Sequence, residues 1–190
     1  MRSRDLKKDL YRIGVLLLLM WLIRFVDATI PFSLTDYGLY PRRLIGLPGI
    51  VTMPFLHGSF SHLFSNTASL AILLGLLVGS QKSPWILVLL TSLAGASLLW
   101  LVGQDANHIG ASGLVFGLVG LLAVSGFLQR RFVPVLVTVI VGVLFGGTIL
   151  WGVLPGGDPE VSWDGHLCGL LGGIAVGFWN GRGGSAKQAD

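Results

Sequence analysis

The chain has 190 residues, of which 53% are hydrophobic and only 12% are charged. Soluble domains carry about 25% charged residues, so this composition excludes an ordinary soluble protein and predicts an integral membrane protein. The net charge of +4 comes without a basic patch interleaved with aromatic residues, which argues against nucleic-acid binding, and a single cysteine, Cys168, excludes an internal disulfide and a multi-cysteine metal site.

Six apolar runs follow one another along the chain. A helix that crosses the hydrocarbon core needs about 20 apolar residues, and the runs cover roughly residues 10–27, 52–79, 84–103, 110–128, 132–150 and 161–180. The second run is longer than one span, so its first residues can form a loop. The sequence therefore predicts an all-α membrane protein, with an N-terminal segment 1–9, a six-span domain 10–180 and a polar tail 181–190.

Lysine and arginine are distributed unevenly between the two ends of the predicted spans. With the N-terminus inside, the outer loops hold two basic residues, Arg42 and Arg43, and the cytoplasmic segments hold ten: Arg2, Arg4, Lys7, Lys8, Arg12, Lys82, Arg130, Arg131, Arg182 and Lys187. Positive charge accumulates on the cytoplasmic side of membrane proteins. The sequence therefore predicts that both termini are cytoplasmic and that the basic residues contact anionic lipid of the bilayer.

Polar side chains suited to chemistry occur near the outer end of three predicted spans. Span 2 carries His57, His62 and Asn66, span 4 begins near Ser112, and span 6 carries His166 about six residues in. At a rise of about 1.5 Å per residue, all of them fall in the outer half of the bilayer. Polar and ionisable groups at that depth are costly and are usually functional.

Ser112 can supply the hydroxyl of a nucleophile, and His166 can supply the base that accepts its proton. Ser112 lies between Gly110 and Gly113, which leave room for a substrate backbone and place N–H groups beside the hydroxyl. Serines in membrane helices more often pack as small residues or bond back to a carbonyl. The interpretation of Ser112 as a nucleophile therefore depends on His166 at the same end of another span. Together these residues predict a serine protease whose active site lies inside the membrane.

Glycines repeat every four residues on two of the spans. They are Gly113 and Gly117 on span 4, and Gly165, Gly169, Gly173 and Gly177 on span 6. Faces of small residues let membrane helices pack with their backbones unusually close. We therefore expect spans 4 and 6 to be in contact, as a hydrogen bond of about 3 Å between Ser112 and His166 requires.

His62 and Asn66 are four residues apart and share a helix face. Both can donate hydrogen bonds, so we expect them to stabilise an oxyanion together with the N–H of Ser112; the alternative is a polar brace between helices. His57 lies about 140° around the helix from His62. We assign His57 a structural hydrogen-bonding role.

Three further polar positions receive structural roles. Asp164 lies two residues before His166 and points away from it on a helix, so a loop or capping role is favoured over a triad carboxylate. His108 is expected to lie in a loop. Arg24 and Asp27, three residues apart in span 1, are expected to pair or to extend to the interface.

These residues resemble the rhomboid family of intramembrane serine proteases. The match has three parts in the family's order: His57-x4-His62-x3-Asn66 on span 2, Gly110-x-Ser112-Gly113 on span 4, and His166-x2-Gly169-x3-Gly173 on span 6. The resemblance covers essentially the whole chain from span 1 to span 6. The compact form is similar to bacterial members, which implies a multi-pass protein of the bacterial inner membrane.

The resemblance implies that Ser112 is the nucleophile, His166 its base, and His62 and Asn66 the oxyanion-site residues. Phe116 matches an aromatic that stacks on the catalytic histidine, where tyrosine is frequent. The family needs no metal or cofactor.

The resemblance also implies a class of substrate and a route by which it enters. The family cleaves transmembrane proteins, typically near the outer end of the substrate helix, and substrate would enter beside span 5 and under the loop 151–160. Many relatives carry a Trp-Arg pair in the first outer loop, and this chain has Tyr40-Pro41-Arg42-Arg43 in that region instead.

Other functions stay open on the sequence alone. One is a catalytically silent relative that binds membrane clients, although such relatives usually lack the serine or the histidine. Another is a small transporter or channel, but there is no inverted repeat and few charged residues lie within the spans. A metalloprotease is disfavoured, because no His-Glu-x-x-His helix exists and His57 and His62 do not share a face.

Overall fold

A computed structural model describes residues 5–155 and 161–186. Within these ranges the chain is helical and contains no strand, and one isolated β-bridge joins Leu39 to His108. The helices are α1 (Leu6–Asp27), α2 (Gly49–Thr52), α3 (Phe60–Ser80), α4 (Pro84–Val102), α5 (Ser112–Gln129), α6 (Phe132–Gly152) and α7 (Trp163–Ala186). Three short 3₁₀ turns at Leu34–Tyr37, Leu44–Gly46 and Met53–Phe55 complete the connections.

Four described helices are long and apolar enough to cross a membrane by length and composition, namely α3, α4, α5 and α6. The helix α5 is central, since 61% of its most apolar 18-residue stretch is buried. The helix α6 is peripheral, since only 22% of the corresponding stretch is buried. The protein is therefore a helical membrane bundle, as the sequence predicted. The finer expectations of six spans and two cytoplasmic termini stay predictions.

The helix bounds differ from the predicted spans by four residues or more at three places. Helix α1 begins at Leu6, four residues before the predicted start of span 1, so part of the predicted N-terminal segment 1–9 is helical. Helix α3 begins at Phe60 because the side chain of Ser59 caps it, accepting a hydrogen bond from His62 N at 3.1 Å. Helix α7 extends to Ala186, six residues beyond the predicted end of span 6, so part of the segment expected to be a polar tail is helical. Residues 1–4, 156–160 and 187–190, which belong to the predicted N-terminal segment, loop and tail, lie outside the described residues.

Glycines allow close packing between α5 and α7. A Cβ on Gly169 would collide with the carbonyl of Gly113, and a Cβ on Gly173 would collide with that of Gly117. A Cβ on Gly95 of α4 would lie 2.9 Å from Gly169 Cα. The two glycine faces are therefore in backbone contact, and α4 meets them at the same level.

Polar side chains tie the helices together at one end of the bundle. Gln81 Oε1, just after α3, accepts hydrogen bonds from Gln129 Nε2 at the end of α5 and from Asn180 Nδ2 in the last part of α7, both at 3.0 Å. Trp85 Nε1 near the start of α4 donates to Asp9 Oδ1 near the start of α1 at 2.7 Å. Helices α3, α5 and α7 therefore run in one direction, and all three begin at the opposite end of the bundle, hereafter the site end.

At the site end, the pair suggested for the first helix is present. Arg24 Nη1 lies 2.9 Å from Asp27 Oδ2. Asp27 Oδ1 also accepts a hydrogen bond from the backbone N–H of Leu34 at 2.6 Å. The pair thus attaches the end of α1 to the segment that follows it.

We expect Gln81→Ala to lower the free energy of unfolding by about 1–2 kcal/mol, because Gln129 and Asn180 both lose their acceptor. Reversible unfolding in mixed detergent micelles measures this change. Its exposed neighbour gives the matched control, Lys82→Ala, since Lys82 takes part in neither of the two hydrogen bonds that join these helices through Gln81. Equal stability of Gln81→Ala and the wild type would show that the hydrogen bonds to Gln81 do not stabilise the bundle.

Candidate active site

Ser112 is the first residue of α5, and the backbone before it is arranged by a glycine. Gly110 has a φ of +102°, a region that residues with a side chain rarely adopt. Its N–H donates to Met53 O at 2.9 Å. Ala111 occupies the N-cap position without a side-chain cap, so the first N–H groups of α5 face a site suited to negative charge.

The polar face of α3 meets the segment before Ser112. A Cβ on Gly110 would lie 2.7 Å from His62 Nε2 and 3.5 Å from Asn66 Nδ2. Asn66 is only 5% exposed, and its Nδ2 has no hydrogen-bond partner among the residues that the structure describes. A buried donor without a partner costs about 1–3 kcal/mol. The donor is therefore available to an acceptor that is brought to this site.

His166 lies in the first turn of α7, and its ring is held from two sides. Phe116 stacks on it with ring centroids 4.1 Å apart and planes 8° from parallel. His166 Nδ1 lies 2.9 Å from the carbonyl oxygen of Gly152, the last residue of α6. A carbonyl only accepts, so Nδ1 carries the proton and Nε2 of the neutral ring keeps a basic lone pair.

Ser112 and His166 lie where α5 and α7 touch. A Cβ on Gly113, the residue after Ser112, would lie 3.4 Å from the carbonyl oxygen of Gly165, the residue before His166. Gly169, one turn further along α7, packs on the backbone of Gly113. The small residues at these positions therefore bring the two polar residues to the same end of one helix interface.

His57 precedes α3 and lies outside the helix. It is 1% exposed, its Nδ1 lies 3.4 Å from Phe55 O, and its ring meets that of His62 edge-on at a centroid distance of 5.1 Å. Burial is the main cause that lowers the pKa of His57 to about 4, and the electrostatic effect of the neighbouring His62 lowers it further. This side chain is therefore neutral at neutral pH. In the described part of the chain, no three His, Cys, Asp or Glu side chains are grouped so that they could hold a metal ion.

Two features of the site were not anticipated from the sequence. The carbonyl of Gly152 carries no sequence signal, because every residue has one. His108 does lie in a connecting segment, but it is 4% exposed and its Nδ1 lies 2.8 Å from Ser162 Oγ. Ser162 directly precedes α7 and accepts from Gly165 N at 3.1 Å, an N-cap pattern that the sequence Ser162-x-Asp164 could have indicated.

Comparisons with known proteins identify the family and relatives of this chain. The Rhomboid domain family model matches residues 46–182. An uncharacterized protein of Mycobacterium tuberculosis is 33% identical over 170 residues, which cover 84% of this chain and 70% of that protein. An uncharacterized protein of Mycobacterium leprae is also 33% identical over 170 residues, covering 84% of this chain and 66% of its own length. No solved structure matches the chain significantly.

Proposed function

This chain belongs to the rhomboid family, and from that premise we propose that it is an intramembrane serine endopeptidase that uses a Ser112–His166 dyad. The observation that carries the proposal is the buried, unpartnered Nδ2 of Asn66, which lies beside Gly110 and His62 at the start of α5. A donor placed there suits an oxyanion that forms only during the reaction.

We propose the following chemistry for these groups. Ser112 Oγ attacks the scissile carbonyl carbon and gives its proton to His166 Nε2. The carbonyl oxygen becomes an oxyanion, which accepts hydrogen bonds from the N–H of Ser112 and from His62 and Asn66. The imidazolium, stabilised by its Nδ1–H bond to Gly152 O, then protonates the leaving amine. In the second half of the reaction, His166 Nε2 takes a proton from a water molecule that attacks the acyl-enzyme carbonyl. His166 then returns a proton to Ser112 Oγ as the acyl bond breaks.

Transmembrane proteins are the proposed substrates. A substrate helix must unwind to present an extended backbone, so scissile sites should contain weak helix formers. The peripheral position of α6 supports access beside it, since Val143, Leu150 and Trp151 are each more than two-thirds exposed. The bacterial relatives support a location in a bacterial cell membrane.

The test is cleavage of a transmembrane reporter that carries small residues near one end of its helix, with purified protein in liposomes. We expect two products whose masses identify one cut bond, and labelling of Ser112 by a fluorophosphonate. Labelling without cleavage would mean that the reporter is unsuitable. A protein that neither cleaves nor labels would instead favour a catalytically silent relative that binds membrane clients.

Asn66→Ala should lower kcat by about 10²–10³-fold, because one oxyanion donor is lost. The same substitution should leave stability unchanged or raise it, since an unpaired buried donor is removed. Initial cleavage rates and unfolding midpoints, with the exposed neighbour variant Ser65→Ala as control, measure both effects. A wild-type kcat with reduced stability would identify Asn66 as a brace instead.

A further inference from the structure

A polar cluster at the site end lies outside the catalytic groups described above. It consists of His108 in the segment before α5, Ser162 and Asp164 at the start of α7, and the backbone of Gln104. Ser162 Oγ lies 2.8 Å from His108 Nδ1 and 2.9 Å from Asp164 Oδ1. The backbone N–H of Gln104 donates to Asp164 Oδ2 at 2.8 Å, and its carbonyl oxygen accepts from His108 Nε2 at 3.1 Å.

The hydrogen bonds of this cluster link its members through Ser162 and Gln104. The carbonyl of Gln104 only accepts, so it accepts from His108 Nε2. The hydroxyl of Ser162 donates to Asp164 Oδ1 and also contacts His108 Nδ1. These contacts hold His108 and Asp164 side by side, with His108 Nε2 3.9 Å from Asp164 Oδ2.

The placement of the cluster along the chain relates it to the dyad. His108 lies four residues before Ser112, and Ser162 lies four residues before His166. Ser162 also accepts from Gly165 N through its side chain and from His166 N, at 3.0 Å, through its carbonyl oxygen. The His108–Ser162 hydrogen bond therefore joins the two segments that lead into the nucleophile and the base.

We propose that His108, Ser162 and Asp164 are positioning residues, which set the first turn of α7 against the start of α5 and so place His166 for reaction with Ser112. The inference rests on the proposed function, because the group that it positions is the base of that reaction. None of the three touches the reacting atoms. Their effect passes through the N-cap turn of α7, and a displacement of about 1 Å in such a turn can cost up to about 10²-fold in rate.

Kinetics of four variants test this proposal. We expect His108→Ala and Ser162→Ala each to lower kcat about tenfold or more at nearly unchanged KM, since misplacement of the base affects the reaction step. The double variant should lose no more than either single one, because both remove the same bond. Ser162→Thr, which keeps the hydroxyl and the cap, should retain the wild-type kcat. Unchanged kcat in both single variants would overturn the proposal, as would losses that multiply in the double variant and are not restored by threonine.

A second measurement does not depend on cleavage. NMR of the protein labelled with ¹⁵N-histidine should show a His166 signal with Nδ1 protonated that shifts in His108→Ala and in Ser162→Ala and not in Ser162→Thr. If these shifts appear in a protein that does not cleave or label, the proposed function fails and the positioning of His166 stands. A His166 signal that is unmoved in both alanine variants would overturn the positioning whatever the activity.

Discussion

Ser112→Ala is expected to reduce cleavage of the transmembrane reporter by about 10⁴-fold or more, because the attacking oxygen is lost and no other group replaces it. The fold should survive, since Ser112 lies at the start of α5 and alanine at this position opens no buried cavity. His166→Ala should be as severe, because the two residues act as one unit in a dyad. Initial rates in liposomes measure the loss, and the unfolding midpoint verifies the fold.

The same helix offers a matched control. Ser125 is fully buried in α5, and its Oγ has no hydrogen-bond partner among the described residues. Ser125→Ala therefore removes a hydroxyl from α5 away from the site end and should keep the wild-type rate. Cleavage by Ser112→Ala at the wild-type rate would refute the mechanism, and equal losses in both variants would indicate a general effect on α5.

Gly169→Ala is expected to be the most damaging single methyl addition near the site. Its Cβ would collide with the backbone carbonyl of Gly113, and a backbone cannot move aside as a side chain can. Overpacking of this kind costs about 1–3 kcal/mol or more. Because Gly113 follows Ser112 and Gly169 lies one turn after His166, we also expect the cleavage rate to fall by about 10²-fold.

Gly142 provides the comparison for this prediction. It lies on α6, and a Cβ built there would have no neighbour within 4 Å. Gly142→Ala should be neutral or slightly stabilising, since alanine is favoured over glycine in a helix by up to about 1 kcal/mol. Unfolding midpoints and cleavage rates of the two alanine variants are measured together. If Gly169→Ala behaves like Gly142→Ala, the α5–α7 contact is looser than the structure describes.

The features that repeat along one helix were accessible from the sequence. Residues four apart share a helix face, so the spacing alone predicted that His62 and Asn66 lie on one face of α3 and that glycine faces bring α5 and α7 together. The bounds of the helices were less accessible at their ends. The cap by Ser59 shortens the second span, and α7 continues past its apolar stretch to Ala186.

The sequence by itself therefore determined the membrane class, the apolar helices and the candidate polar residues, because composition and helical period are local properties of the chain. The tertiary structure alone decided which nitrogen of His166 is basic, through the carbonyl of Gly152, and which segments His108 joins, through Ser162. Both contacts connect different elements of the fold. Such contacts depend on how the helices pack. A backbone carbonyl is chemically the same at every position, so no pattern in the sequence could have indicated the contact with Gly152. The sequence could have indicated Ser162 only as the cap of α7, and not as the partner of His108.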